Sequence, residues 1–336
     1  MKTLEKLYNE IANRPEEWNY YIDKCNKLAI DNAWLNICEA NFFIHNYFKS
    51  GGKEVFDIDK IGYLGSTHER DIHTISTFIL GISLSKILEI ELKDDALFTW
   101  FLVCLYHDIG YKIEENVSLI NKAKTLQQFM RFIGIGQDSK IYKKYQANKL
   151  CKNYYKYKIL EKGSIDHGIV GGLLLEYKLK ENYNNKRSSQ KKDDFEVDGL
   201  RYSKDLFPIY EKAAETIIRH NMWFASDDDT IEIYKKYYLE DLIGNRNNRI
   251  SLKDNKFLFL LSIADTIEPL KFFIGIKHEF VLKYIKVGFN EKIIEIAIER
   301  NCFNYEKYIE KVSSLNDWLD VSVESNGNKC RIFIET

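Results

Sequence analysis

A mainly α fold closed by a small C-terminal α+β element is predicted from three features of the sequence. Only three prolines, Pro15, Pro208 and Pro269, fall in 336 residues, so long stretches can keep an unbroken helical ladder. Apolar residues recur at three- and four-residue spacing over most of the chain, the period of a helix with one buried face. After about residue 278 the period shortens to two, which marks strands. Helices are predicted over 1–13, 16–49, 71–91, 94–108, 167–180, 207–220, 230–243 and 254–268. The breakers "SGG" (50–52) and "GYLGST" (62–67) set residues 1–62 apart as an N-terminal helical layer. Residues 63–278 then form the main domain, with insertions near 113–165 and 180–205. Within the first, 136–163 is basic and tyrosine-rich; the second is polar with little periodicity. Such charge runs fit either a solvated surface or a phosphate-facing lid. In 279–336, "YIKVGF" and "IIEIAI" flank "NEK" as a hairpin, and a helix over 303–319 carries Tyr305, Tyr308, Ile309, Val312, Leu315 and Trp318 on one stripe. Asn326-Gly327 between two alternating runs signals a second hairpin, giving a ββαββ element. Its sheet suits dimerisation into a homo-oligomer, cover for the catalytic domain, or ligand binding.

Composition narrows the function classes. With 45% hydrophobic and 14% aromatic residues the chain can bury a large core. Balanced charge, 49 basic against 50 acidic residues, leaves no whole-molecule field for nucleic acid or a membrane surface. Any affinity for phosphate must be local. Cys25, Cys38, Cys104, Cys151, Cys302 and Cys330 are scattered without a CxxC pair, which predicts reduced thiols and a cytoplasmic setting. The N-terminus lacks an apolar core, and "FLFLLSIA" (257–264) is far too short to span a bilayer, so neither export nor membrane insertion is expected.

The words that carry chemistry begin with "LYHDIGYK" (105–112), where His107-Asp108 follows the apolar run "WFLVC". A carboxylate left unpaired there would cost several kcal/mol, so a cation is required, and a metal supplies one. Both residues reach one ion only where the helix ends beside a cavity, as before Gly110. Similar settings hold His73 in "RDIHTISTFILGISL", His167 in "SIDHGIVGGLLL", His220 in "AAETIIRHNMW" and Asp265 in "FLFLLSIADTIEP". Taken singly, each also fits a hydrogen-bonded core or surface residue. Taken together they point to one metal cluster assembled from distant segments.

The ordered set His73, His107-Asp108, His167, His220, Asp265 resembles the HD-domain superfamily of metal-dependent phosphohydrolases. "HDIG" occurs in many of its members, and "DHGIVGG" looks like their third-histidine helix. "IADTIEP" is similar to the last-aspartate helix of the bacterial dinucleoside-tetraphosphate hydrolase branch, whose RxxH entry is matched by Arg70 to His73. The likeness covers about 66–272 and implies an HD-type helical bundle. It further implies that His73, His107, Asp108 and Asp265 hold a first metal, and that His167 and His220 share Asp108 to hold a second. Imidazole with carboxylate suits Fe, Mn, Co, Ni or Zn. Two such ions about 3.5–4 Å apart bridge a water, make it a hydroxide nucleophile and stabilise phosphoryl oxygens.

Substrate contacts fall to Arg70 and Lys112 in this reading, with Arg219 and Lys271 as further candidates. Arg70 lies three residues before His73 and fits either a phosphate contact or an exposed ion pair. Relatives with a catalytic lysine read HDxGK, whereas here Tyr111 takes that place and Lys112 follows; the GYP signature of the cyclic-dinucleotide phosphodiesterases is also missing. Lys271 stands where the tetraphosphate hydrolases have arginine. Asp166 suits either an orienting bond to the neighbouring ligand or a helix N-cap. His68 suits a general acid at the pocket mouth or an exposed side chain, while His45 and His278 are structural or solvated.

The expected activity is hydrolysis of a phosphoester or phosphoanhydride bond in a small, nucleotide-like substrate, whose base the tyrosine-rich insertion could stack or roof. The alternatives are an HD-type nuclease, against which the balanced charge argues, and a metal-bound nucleotide sensor or scaffold without turnover.

Overall fold

The computed structural model describes residues 1–12, 68–114, 116–190, 192–197, 200–244, 248–273, 276, 278–299 and 305–335. The predicted helix over 16–49 and the glycine breakers after it lie outside these residues, as does His45. In chain order the elements are β1 (Lys2–Thr3), α1 (Leu4–Ala12), α2 (His68–Ile87), α3 (Asp94–Tyr106), α4 (Tyr111–Glu114), α5 (Val117–Lys122), α6 (Leu126–Phe132), α7 (Lys140–Ala147) and α8 (Lys149–Tyr157). A π-helical turn, Lys158–Lys162, precedes α9 (His167–Gln190), β2 (Asp194–Val197), β3 (Leu200–Ser203), α10 (Phe207–His220), α11 (Asp228–Lys236) and α12 (Lys256–Ile267). The chain continues with α13 (His278–Tyr284), β4 (Ile285–Asn290), β5 (Ile293–Ile298), α14 (Glu306–Ser313), α15 (Leu315–Trp318), β6 (Val321–Asn326) and β7 (Lys329–Ile334). Among the described residues no helix is long and apolar enough to cross a membrane. Cys104, Cys151 and Cys330 are buried and take part in no disulfide.

The chain forms two compact units. Among the described residues, the first takes 1–12, 68–104 and 249–335, and the second 105–244 and 248. In the first unit the sheet runs β1-β4-β5-β7-β6, antiparallel throughout, with Val287 opposite Ile296, and Ile296 opposite Cys330. Strand alternation turns Val287, Ile294, Ile296, Ile332 and Ile334 to the buried face. The predicted ββαββ element is therefore present, and β1 extends it, because Lys2 and Thr3 pair with Val287 and Lys286. The extreme N-terminus thus belongs with the C-terminal sheet rather than to a separate helical layer. Helix α2 packs on α12, and fully buried Trp100 donates its indole N–H to the Phe78 carbonyl at 3.2 Å. Gly81 makes room for that indole: a Cβ there would lie 1.9 Å from the ring.

The second unit is organised by α9 against α10. The tyrosine-rich stretch, expected as a solvated insertion or lid, is instead a series of short helices whose rings are core. Tyr145, Tyr154, Tyr155 and Tyr157 are buried, with hydroxyls of the first three donated to Glu176 (2.7 Å), the Asn221 carbonyl (2.9 Å) and the Ala123 carbonyl (2.6 Å). Asn116, Thr125, Ser139 and Asn148 each cap one helix by accepting a backbone N–H, which explains how so polar a stretch holds helical order. None of these four buried rings is open to a base. The second stretch, 180–205, also gains structure. Helix α9 runs through to Gln190, and β2 pairs with β3, stacking Phe195 on buried Tyr202 at 5.2 Å.

Candidate metal centre

In the second unit α3 ends at Tyr106, two residues short of the prediction, so His107 and Asp108 stand in the turn that leads to α4. That turn is pressed on the first residue of α9: a Cβ at Gly110 would meet the His167 carbonyl oxygen at 2.3 Å. The glycine is needed for close approach, and it brings Asp108 to His167. His220, the last residue of α10, comes to the same point because α10 packs on α9 at Gly168, where a Cβ would lie 2.7 Å from the Ile217 carbonyl oxygen.

The resulting constellation has one common focus. Asp108 Oδ1 lies 3.5 Å from His107 Nε2, 3.7 Å from His167 Nε2 and 3.9 Å from His220 Nε2. The two Nε2 atoms of His167 and His220 are 3.3 Å apart. His107 is fully buried, its ring edge-on to His220 at 5.4 Å, and Tyr111 stacks on His167 at 3.8 Å. The opposite ring nitrogens decide the chemistry. His167 Nδ1 donates to Glu114 Oε2 at 2.7 Å, and His220 Nδ1 donates to the Ile217 carbonyl. Both Nδ1 atoms therefore carry a proton, and each ring turns its Nε2 toward a carboxylate oxygen. Asp108 Oδ1 and these two Nε2 atoms lie within 3.9 Å of one another, and a small inward shift of Asp108 would bring them to the roughly 3.0–3.5 Å that separates ligand atoms about 2.1 Å from a shared ion. Asp108, His167 and His220 thus form a group able to hold a metal ion.

Behind His167 lies a charged cradle. Glu114 also accepts from Lys158 at 3.1 Å; burial pushes its carboxyl up, but His167 and Lys158 outweigh this and hold it below the ordinary glutamate range. Asp166 takes the N-cap role: it accepts the Ile169 N–H at 2.9 Å. Its other oxygen accepts from Asn221 Nδ2 at 2.7 Å, and that amide nitrogen stands 3.3 Å from His167 Nδ1. Replacing Glu114 by Gln should lower metal affinity at this site by about ten- to a hundredfold, because the charged acceptor that orients the imidazole is lost. Calorimetric titration with Mn²⁺ checks this, and an unchanged affinity would remove Glu114 from the role.

In the first unit His73, buried on α2, meets Asp265 near the end of α12. His73 Nε2 lies 2.9 Å from Asp265 Oδ1, and His73 Nδ1 lies 2.6 Å from Oε2 of fully buried Glu268. Glu268 is itself held by the Leu270 N–H at 2.9 Å, and Lys271 Nζ donates to Asp265 Oδ1 at 2.6 Å. Burial and the Lys271 charge act to lower the His73 pKa, yet Asp265 and Glu268 prevail and it is pushed up to about 9.

Of the residues expected to carry the site, His107, Asp108, His167 and His220 meet within the second unit, and His73 meets Asp265 within the first. Arg70 lies on α2 and Lys112 on α4, with side chains outside those described, as are those of His68 and His278. Glu114, Lys158, Asn221 and Glu268 were not anticipated. The signal for Glu268 stood inside "IADTIEP", three residues past the aspartate; Glu114, six residues past Asp108, had none. Comparison of the chain with protein-family models, with curated proteins and with solved structures finds no match.

Proposed function

We propose that the chain is a metal-dependent phosphohydrolase of HD type, hydrolysing a phosphoester or phosphoanhydride bond of a small nucleotide-like substrate. The observation that carries this reading is the convergence of His167 Nε2 and His220 Nε2 on Asp108 Oδ1, with both Nδ1 atoms committed to acceptors behind them. Asp108, His167 and His220 hold a divalent transition metal, Fe, Mn, Co, Ni or Zn, and His73 with Asp265 supplies ligands to a second. When bound, such an ion lowers the pKa of a coordinated water from about 15.7 towards neutrality and neutralises charge on the phosphoryl oxygens. The chain's own groups do the rest. Glu114 and the Ile217 carbonyl hold the proton on Nδ1 of each imidazole, leaving each Nε2 for the ion. Buried His107 and the stacked Tyr111 restrict water around Asp108.

Metal analysis of the purified protein, followed by a screen of phosphomonoesters, phosphodiesters, nucleoside triphosphates and dinucleoside polyphosphates with Mn²⁺, Fe²⁺ and Co²⁺, tests the reading. Metal-dependent release of phosphate or nucleotide from a small substrate is the expected result. Turnover of single-stranded DNA alone would replace it by a nuclease, and tight nucleotide binding without turnover by a sensor.

A further inference from the structure

The helices over 139–160 carry more positive charge than their packing uses. That stretch holds seven lysines and no acid. Two of the seven are committed inside the unit, Lys144 to Glu176 at 3.3 Å and Glu215 at 2.9 Å, and Lys158 to Glu114 at 3.1 Å. On α8 the others follow helical spacing. Lys149, Lys152 and Lys156, at i, i+3 and i+7, are exposed along one face, while Cys151, Tyr154 and Tyr155 bury the other. The row is about 10 Å long at a helical rise of about 1.5 Å per residue. Exposed Lys162 extends it past the π-helical turn: its Nζ lies 6.0 Å from the centre of the Tyr157 ring, Tyr157 meets Tyr237 at 5.9 Å, and Lys156 Nζ lies 6.0 Å from the Tyr237 ring. Among the described residues none of these four lysines is held in an ion pair. Glu161, beside Lys162 in the chain, is already taken by Lys236 at 2.8 Å and the Tyr237 hydroxyl at 2.7 Å.

A flat ring stands beside this row. Tyr238 is 76% exposed, and its φ of +54° lies where an L side chain is rarely found. The Asn153 side chain, next to Lys152, donates to the Tyr238 carbonyl at 3.2 Å, and the Tyr238 N–H donates to the Lys235 carbonyl at 3.1 Å, so the turn is fixed with the ring left in water. An exposed aromatic held on a strained backbone contributes little to folding and points to a binding role. The lysine row attracts any polyanion, and the ring selects among them. A single nucleic-acid strand offers phosphates and unpaired base faces together, whereas a duplex stacks its bases on one another and an acidic peptide or lipid headgroup has none. We propose that Lys149, Lys152, Lys156 and Lys162 with Tyr238 form a binding surface for single-stranded nucleic acid, phosphates lying along the lysines and a base stacked on the tyrosine. Such binding tolerates any sequence, because every base has a face to stack. The near-zero net charge of the whole chain does not oppose it, since the field of the row acts over only about 10 Å. This surface goes beyond the phosphohydrolase reading and needs no metal.

The test titrates the full chain, kept in chelator, against fluorescein-labelled oligo(dT) and oligo(U) of about 12 nucleotides, a length such surfaces track, reading anisotropy over a series of salt concentrations. Binding of either strand is the expected result, with log K falling against log salt at a slope of about −3, four phosphate contacts at about 0.7 each. Lys152→Gln combined with Lys156→Gln should weaken binding by about tenfold or more and reduce the slope by about 1.4. Tyr238→Ala should weaken it by about tenfold with the slope unchanged, and Tyr238→Phe should stay within about twofold, because the ring contributes stacking rather than charge. Lys329→Gln, exposed on β7, should match wild type. Should the double lysine variant lower the thermal midpoint, Lys149→Gln alone decides, its slope being smaller by about 0.7. No binding of either strand by wild type, undiminished binding by the lysine variants, or equal affinity of Tyr238→Ala and wild type overturns the proposal. Tighter binding to phosphatidylserine vesicles or to poly-glutamate than to the oligonucleotides also overturns it, reassigning the row to a membrane surface or an acidic protein. With metal excluded throughout, none of these outcomes bears on the metal centre.

Discussion

Asp108→Asn should strip the second unit of its metal and abolish metal-dependent hydrolysis. Asparagine keeps the size and one carbonyl oxygen of aspartate but loses the charge that offsets a divalent ion. Asp108 is the one carboxylate the three imidazoles of the second unit share, at 3.5, 3.7 and 3.9 Å. A ligand carboxylate contributes more to affinity than the outer groups that orient it, which are worth about ten- to a hundredfold, so the loss should exceed about a hundredfold. Elemental analysis should show roughly one equivalent less metal than wild type, with circular dichroism unchanged because Asp108 stands in the turn between α3 and α4 rather than inside a helix. Full metal retention in Asp108→Asn would sink the assignment. His220→Ala should give the same loss of metal by a different route, since it removes an Nε2 lone pair rather than a charge.

Much of the fold and of the site was legible because periodicity and chain breaks report backbone geometry directly. The 3.6-residue repeat in "AAETIIRH" gives α10 and leaves His220 at its end; Asn326-Gly327 gives the β6–β7 turn, with Gly327 at φ +59°. Gly110 marks a helix end beside a cavity in the sequence, and its physical reason is close packing: a Cβ there would lie 2.3 Å from the His167 carbonyl oxygen. What sequence could not supply depends on partners far along the chain. Glu114 looks like any solvated glutamate until Lys158 and His167 close on it, 44 and 53 residues away. Lys2 and Thr3 are too few to show an alternating pattern, and their strand exists only because β4 pairs with them. The tyrosine-rich stretch misled through composition: its lysines suggested a solvated lid, while Ile141, Tyr145, Cys151, Tyr154 and Tyr155 held a buried helical face that charge obscured.

The metal-free protein should lose stability as pH rises through about 9, and metal should reverse that dependence. His73 is buried and its folded-state pKa is raised from 6.5 to about 9, the partners responsible being Asp265 at 2.9 Å and Glu268 at 2.6 Å. A base whose pKa is higher folded than unfolded binds its proton more tightly in the native state. Its contribution is therefore complete below pH 6.5 and is lost progressively until pH exceeds about 9. A shift of that size corresponds to about 3 kcal/mol. Urea unfolding of chelated protein at pH 6 and pH 9.5 should differ by an amount of that order, and His73→Gln should flatten the difference. A metal on His73 Nε2 takes the place of the proton shared with Asp265, so its uptake must release that proton and tighten as pH rises through the same window. Proton release on Mn²⁺ binding, measured by titration in buffers of different ionisation enthalpy, should accordingly fall towards zero above pH 9 in wild type. It should be smaller throughout in His73→Gln. Equal proton release by the two proteins would mean that the ion does not displace the His73 proton, and His73 would then be a structural partner of Glu268 alone.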